Sequence, residues 1–526
     1  MSASKGCRVA SIEGQFKNIQ KGVVYLAGSG PGDPGLITVR ADELLRGCDC
    51  IVYDALVTPE IMANANPLAE KIYVGKRGAQ HAYEQPEINA LLLEKARAGK
   101  SVLRFKGGDP YLFGRGAEEA MSLIENGIAV ETVPGVTAGI AAPAYAGIPV
   151  THRDHASAVA FVTGHEDPTK PESALDWAAL AKVGTLCFYM GVKNLGRIAS
   201  ELAKHLPSST PAAVIEWGTT RRQRTVSGTL ESIERIVREN AIQAPALTVV
   251  GQVVQYREKL NFFERAPLFG KSIVVTRARM QASDLADGLR IMGSSVYEFP
   301  TIRIAPSPTN ELAAEVRNLA YGIFDWVILT SVNGVDALFE ELFKQGFDAR
   351  NFKANVAAIG SATARRLSEK GLKADLIPPE YVAESIVEAL QKDGDIAGRK
   401  FLLARADIAR SELPAALKKL GGEVTDAEAY CTILETEGQE VALAALENDK
   451  IDAVTFTSAS TARNFAQILG PDRLKKIIAG TRIKFLSIGP ITSQAMTACG
   501  IPIHAEAAVH DIPGVLEVCK TLMKRA

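Results

Sequence analysis

The chain lacks the cysteine pattern of a disulfide scaffold or a zinc site. Its seven cysteines, Cys7, Cys48, Cys50, Cys187, Cys431, Cys499 and Cys519, are scattered, odd in number and without Cys-x-x-Cys spacing. That fits reduced thiols in or near cores and implies no metal site. It also lacks an excess of charge. A formal net charge of −1 over 526 residues leaves no bulk field to draw nucleic acid or a membrane surface, so anion binding must come from local basic clusters. No apolar run approaches the roughly 18 residues of a membrane span. The N-terminus has no signal-peptide core, so residues 1–19 read as a short polar extension and the chain as cytoplasmic.

What is present is alternation. Apolar runs at Cys50–Tyr53, Val102–Phe105, Ala158–Thr163, Thr185–Tyr189, Ile273–Thr276 and Trp326–Thr330 alternate with helical periodicity. This predicts an α/β protein with largely parallel sheets, and the length suits about three or four domains. Pro267 and Gly270 break the pattern in "FFERAPLFGK", which marks a seam between residues 20–264 and 268–526.

The second half repeats itself. "GKSIVVTR" (270–277) is similar to "RKFLLAR" (399–405), "FDWVILTS" (324–331) to "IDAVTFTS" (451–458), and "AAIGSATARRLSEKG" (357–371) to "LSIGPITSQAMTACG" (486–500), at an offset of 127 to 129. Two duplicated α/β lobes are expected, over about 270–390 and 399–522. Thr330 and Ser331 in one, and Thr457 and Ser458 in the other, fall where a strand meets a helix. Such rims either hold carboxylates or simply cap the helix.

The first half opens on "VVYLAGSGPGDPGLIT" (23–38), an apolar strand entering a glycine-rich loop, with a helix expected from Leu36. It is not a dinucleotide fingerprint, since Asp33 stands where a third glycine is needed. It is not a phosphate loop, since no Gly-Lys-Ser/Thr follows. Pro31 and Pro34 also remove backbone donors. The loop is built for close backbone approach to something else.

Further on, "YDALV" puts Asp54 at a strand end, "VGKRG" carries Lys76 and Arg77, and "RFKGGDPYLFGRGAEE" holds Gly107, Gly108, Asp109, Leu112, Arg115, Glu118 and Glu119. "VPGVTAGIAAPAYAGIPVTHRD" contains Thr137, Ala138 and Arg153, "FYMGV" Met190 and "EWGTT" Gly218. The paired glycines allow close ligand approach. Arg115 and Arg153 can fork onto carboxylates, and Asp54 with Lys76 can handle a proton if brought together. Each also has an ordinary structural reading: a helix cap, a solvated loop, a helix-dipole carboxylate or core.

In this order and spacing, residues 20–264 resemble the S-adenosylmethionine-dependent uroporphyrinogen-III C-methyltransferases of the tetrapyrrole methylase family, and 268–526 resemble uroporphyrinogen-III synthase. The resemblance implies a two-lobed methylase fold followed by a two-lobed synthase whose lobes are linked by strands, the active site lying between them. It implies that Pro31, Gly107, Gly108, Asp109, Leu112, Thr137, Ala138, Met190 and Gly218 bind S-adenosyl-L-methionine, with S-adenosyl-L-homocysteine as product. Asp54 would accept a proton and Lys76 donate one. Arg115, Glu118 and Arg153 would serve the tetrapyrrole, and Tyr430, in "AYCT", would lie at the synthase cleft. Ala117 departs from the family's usual glycine.

The implied activity is bifunctional. Hydroxymethylbilane closes to uroporphyrinogen III with ring D inverted, and methylation at C2 and C7 then gives precorrin-2 for siroheme or cobalamin. No oxidase or ferrochelatase module is expected before the first strand. The partners implied are these tetrapyrroles and a second copy, as a homodimer through the first half, with no nucleic acid, membrane or metal. The alternative is that the second half only binds or docks tetrapyrrole without catalysis.

Overall fold

In a computed structural model of the chain, residues 19–75, 83–165, 175–276, 283–378, 383–406, 412–435, 438–480 and 482–524 are described. Lys76 and Arg77 lie outside them. The chain divides into two compact units, Met1–Lys271 with Ile291–Ser294, and Ser272–Arg290 with Ser295–Lys524. Among the described residues there are four five-stranded sheets, two in each unit.

The first sheet contains β1 (Val23–Gly28), β2 (Cys50–Tyr53), β3 (Glu70–Tyr73), β4 (Val102–Lys106) and β5 (Ala129–Val133), in the order β3-β2-β4-β1-β5. Every pair is parallel, as the near-continuous apolar runs require. Tyr25, Leu26, Leu103 and Phe105 are buried. Removing each such side chain from water contributes about 1.5–3 kcal/mol. The helix that follows β1 begins at Val39, not Leu36. Pro34–Leu36 form a single tight turn, and the Thr38 hydroxyl caps the helix by accepting from Ala41 N–H.

The second sheet contains β6 (Val159–Thr163), β7 (Thr185–Tyr189), β8 (Pro211–Glu216), β9 (Arg224–Thr229) and β10 (Ala246–Val250), ordered β6-β7-β10-β8-β9. Here the expectation of parallel pairing fails. Only β6 and β7 run parallel, while β10 inserts antiparallel between β7 and β8, and β9 folds back on β8. The seven-residue return Trp217–Gln223 permits a hairpin, whereas parallel strands need a long crossover.

The second unit contains β11 (Ser272–Val275), β12 (Ser295–Glu298), β13 (Ile302–Pro306), β14 (Trp326–Leu329), β15 (Asn355–Ala358), β16 (Lys400–Ala406), β17 (Glu423–Leu434), β18 (Ala453–Phe456), β19 (Lys484–Ser487) and β20 (Ala505–Glu506). One sheet is β12-β11-β18-β19-β20 and the other β13-β17-β16-β14-β15. The lobes therefore do not follow the spans 270–390 and 399–522. β11, from the first span, pairs with β18 of the second, and β16 of the second pairs with β14 of the first. The first strands of the two repeats are exchanged. Both are short apolar strands that begin beside a lysine, so sequence similarity fixes their equivalence and not their neighbours. The twelve-residue β17 pairs parallel with β16 along its first part and antiparallel with β13 along its second. Leu268 and Phe269, in the seam, are buried.

Candidate functional site

In the first unit the carboxyl ends of parallel strands carry the glycine turns, the end of an open α/β sheet where ligands bind. Gly30, after β1, exchanges backbone hydrogen bonds with Gly108, after β4, at 3.2 and 2.7 Å. A β-carbon on Gly28 would lie 2.3 Å from the Gly108 carbonyl oxygen, and one on Gly135, after β5, 2.1 Å from it. What the glycine-rich loop approaches is thus backbone, the loops of the two flanking strands. Gly108 itself has φ +68° and open space where its β-carbon would stand.

Two aspartates fasten these loops. Asp109 accepts from the backbone N–H of Tyr111 (2.8 Å), Leu112 (3.0 Å) and Gly135 (3.0 Å). Asp33 accepts from Gly35 N–H and from the Tyr145 hydroxyl, and its own N–H donates to Thr219 Oγ1. Pro31 stands in the same loop, which meets the turn after β8 where a β-carbon on Gly32 would press on Thr220.

Thr137 precedes the helix Ala138–Tyr145, but its hydroxyl does not cap it. It meets Tyr189 Oη at 2.5 Å, and the same oxygen accepts from Gly139 N–H at 2.6 Å. Burial pushes the Tyr189 hydroxyl above its ordinary pKa. Met190 follows, half exposed and with φ 56°, so it is not core. Gly218 packs on the same helix, since a β-carbon there would lie 2.3 Å from Ala142 Cβ. The Phe113 ring lies 5.1 Å from that of Tyr189. Phe113, Arg115, Met190, Trp217 and Thr219 all hold positive φ, between 48° and 68°. Such strain costs of order 1–3 kcal/mol per residue and gathers where ligands are held.

The tetrapyrrole candidates are less united. Asp54 is half-buried and its Oδ1 accepts from Leu56 N–H at 3.1 Å, an Asx turn. Leu56 in turn packs where a β-carbon of Gly107 would stand. Arg115 and Glu118 form an exposed fork, Nη2–Oε2 2.6 Å and Nε–Oε1 3.1 Å. Each holds the other in its charged form. Arg153 is exposed in the turn bridged by His152 and Ala156, with no hydrogen bond or ion pair to the other candidates among the described residues. Lys76 lies outside the described residues, so its pairing with Asp54 does not enter the geometry.

The structure adds a buried ionic cluster. Glu119 is 0% exposed, Arg104 3% and Lys106 5%. Glu119 accepts from Arg104 Nε (3.2 Å), Lys106 Nζ (3.0 Å) and Gln85 Nε2 (3.1 Å). Burial pushes the Glu119 carboxyl up, but Arg104 and Lys106 outweigh it and the net direction is down. Burial and then Arg104 lower Lys106, against the opposing fields of Glu119 and Asp54. The signal was present in "VLRFKGG": two cations two residues apart in an apolar strand fall on one face and demand a partner.

In the second unit the helix Val332–Lys344 starts from Ser331, whose Oγ accepts from Gly334 N–H at 3.0 Å. The helix Ala459–Ala479 starts from Ser458, whose Oγ accepts from Thr461 N–H at 3.3 Å. Both serines are therefore helix caps. Thr330 and Thr457 are half-buried, and their hydroxyls have no partner among the described residues. Tyr430, buried on β17, reaches Ser331 Oγ at 3.0 Å. A register shift between Arg405 and Ala406 sets Ala406 opposite Tyr430, and Arg405 is ion-paired with Asp426.

No group of His, Cys, Asp and Glu among the described residues is arranged to hold a metal ion. No described helix is long and apolar enough to cross a membrane.

Comparison with known proteins matches both units. Residues 23–234 fit the family of tetrapyrrole (corrin/porphyrin) methylases, and residues 283–517 fit uroporphyrinogen-III synthase HemD. The porphyrin biosynthesis protein HemD of Ruminiclostridium josui is 38% identical over 91% of this chain and 94% of its own length. Uroporphyrinogen-III C-methyltransferase of Bacillus subtilis is 44% identical over 70% of this chain and 76% of its own. The S-adenosyl-L-methionine-dependent uroporphyrinogen III methyltransferase of Methanosarcina barkeri is 54% identical over 46% of this chain and 95% of its own. The chain belongs to the tetrapyrrole methylases through its first unit and to the uroporphyrinogen-III synthases through its second, a fusion of these two tetrapyrrole biosynthesis domains.

Proposed function

We propose that the second unit closes hydroxymethylbilane to uroporphyrinogen III, with ring D inverted, and that the first methylates this product at C2 and C7 to precorrin-2. The observation that carries the methyltransferase reading is the junction of the turns after β1, β4 and β5. Their glycines leave no room for side chains between them, and Gly108 faces open space. The residues present fit S-adenosylmethionine: Pro31, Gly107, Gly108, Asp109, Leu112, Thr137, Ala138, Met190 and Gly218 would hold it. When bound it supplies an electrophilic methyl group on a sulfonium.

The chain's own residues do the rest. Asp109 and Asp33 fix the loops by accepting backbone N–H groups, so the site is arranged before binding. Arg115 and Arg153 grip substrate carboxylates, and the fork geometry of guanidinium suits that grip. Methylation leaves the already substituted ring carbon quaternary and the macrocycle cationic. Asp54 accepts the proton whose loss neutralises it, one for each methyl group added, and Lys76 serves as proton donor for the accompanying double-bond shift. In the synthase, Tyr430 assists departure of hydroxide from the linear substrate, with Ser331 orienting its hydroxyl. Thr330 and Thr457 offer their unpartnered hydroxyls to carboxylates, and Ser458 supports the second turn.

The protein acts as a homodimer through the first unit, in the cytoplasm, without a metal. The family resemblance supports the dimer, which light scattering at micromolar concentration checks. The functional test is transfer of labelled methyl from S-adenosylmethionine to supplied uroporphyrinogen III. Two methyl groups per macrocycle are expected, and none would overturn the methyltransferase assignment.

A further inference from the structure

The loop from Asp109 to Arg115 carries cofactor-side residues at one end and tetrapyrrole-side residues at the other. Its first end is fastened by Asp109. Its second end enters the helix Gly116–Glu125 through Arg115, held at φ 60°. Gly116 N–H donates to the Pro110 carbonyl at 2.9 Å, and a β-carbon on Gly116 would lie 2.4 Å from that oxygen, so the loop is closed tightly on itself. One turn into the helix, the fully buried Glu119 reaches back to Arg104 and Lys106 on β4, the strand that leads into Gly107 and Gly108. Gln85, from the neighbouring helix Gln85–Arg97, supplies a further donor. Arg104 also donates through Nη1 to the carbonyls of Val52 and Phe105 at 3.4 Å, which ties the cluster to β2 and β4.

A hydrophobic residue at position 119 would anchor the helix without any of these charges. A buried ion cluster is weak evidence for stability, because desolvation offsets most of the attraction. What it gives is direction. Glu119 meets Arg104, Lys106 and Gln85 with the helix turned so that Arg115 and Glu118 face outward.

We propose that Glu119 is a positioning residue for methylation: through Arg104 and Lys106 it fixes Arg115 and Glu118 relative to the Gly107–Gly108 turn. This rests on the reading of Arg115 as a tetrapyrrole grip. It sets out a division of labour, in which Asp109 orders the cofactor end of the loop and Glu119 the substrate end.

The test uses the full chain, with calorimetric binding of S-adenosylhomocysteine and the KM for uroporphyrinogen III as separate readouts. Glu119→Gln leaves Arg104 and Lys106 uncompensated, and some of its effect will be lost stability. Glu119→Gln with Lys106→Met keeps the cluster's net charge, since one negative and one positive charge are both removed, yet lacks the Lys106–Glu119 bond. The double variant is expected to melt above Glu119→Gln alone, to bind S-adenosylhomocysteine within about threefold of the parent, and to show a tetrapyrrole KM raised about fivefold or more. A fivefold change is about 1 kcal/mol, the net worth of one typical hydrogen bond. A parent-like KM in the double variant overturns the proposal, as does equal loss of cofactor and tetrapyrrole binding. Arg115→Lys in the parent is the control. A normal KM there would sink the reading of Arg115 and this inference with it, whereas a raised KM there with a parent-like double variant would sink the inference alone.

Discussion

Tyr430 and Ser331 stand 99 residues apart in the chain, yet their hydroxyl oxygens lie 3.0 Å apart. Ser331 Oγ already accepts from Gly334 N–H, so one atom caps a helix and orients a tyrosine at once. Tyr430→Phe removes one neutral hydrogen bond and Ser331→Ala two, each worth roughly 0.5–1.5 kcal/mol net, or about 1.5–3 where a substrate partner is charged. Ring closure should slow by about tenfold to a hundredfold at most. The pair should be non-additive, because contacting residues couple by about 0.5–3 kcal/mol. The readout is the ratio of isomer III to isomer I. Loss of all isomer III from Ser331→Ala alone, in a folded protein, would mean a discrete catalytic hydroxyl instead of a shared grip.

Arg115→Lys keeps a positive charge and loses the fork. Arg115 and Glu118 are exposed, so their pair contributes no more than about 1 kcal/mol and stability should barely move. The KM for uroporphyrinogen III should rise tenfold or more, with S-adenosylhomocysteine binding nearly unchanged. Equal losses in both would put Arg115 in the cofactor pocket.

Glu119→Gln and Lys106→Met should differ in cost. The first leaves two buried cations facing each other, and breaking a buried pair this way costs about 3–5 kcal/mol. At roughly 2–4 °C per kcal/mol for a unit of this size, the melting point of the first unit should fall by about 6–20 °C. Lys106→Met leaves Glu119 paired with Arg104 and should cost clearly less. The Glu119 carboxyl is held below its ordinary value of 4.5. Its contribution to stability is therefore full above that pH and lost as pH falls through the lower folded value. Acid unfolding of Glu119→Gln should lack this component. Equal melting points for the two variants would contradict the account.

Gly135→Ala should cripple cofactor binding without touching any side chain. Its new β-carbon would lie 2.1 Å from the Gly108 carbonyl oxygen, so the turn after β4 must move. Calorimetry should show S-adenosylhomocysteine affinity reduced at least tenfold, while the synthase reaction of the second unit continues at the parent rate. Unchanged affinity would show that the three-turn junction does not shape the site.

Local features of the fold were legible. Cys50–Tyr53 and Thr185–Tyr189 are strands with the expected ends, because apolar β-branched and aromatic runs bounded by breakers have few alternatives. Long-range pairing was not. Nothing in "IVVT" says that β11 lies beside β18, and the antiparallel entry of β10 depends on what its neighbours leave free. In the site, the close approach at the glycine turns was legible, because glycine-rich strand ends have a sequence signature; that they close on one another's backbone, and that Asp109 fastens them, was not. The partners were not: Tyr189, which clasps Thr137, resembles any strand tyrosine, and Glu119 resembles a dipole carboxylate beside its exposed neighbour Glu118. Only burial separates those two glutamates.

The most direct measurement combines both reactions in one vessel. Purified full-length protein is given hydroxymethylbilane with and without S-adenosylmethionine, and products are identified by mass and isomer analysis. Without the methyl donor the account predicts uroporphyrinogen III, and with it a dimethylated product of the same isomer series. Isomer I alone would deny the second unit its activity, and isomer III that never gains methyl groups would deny the first.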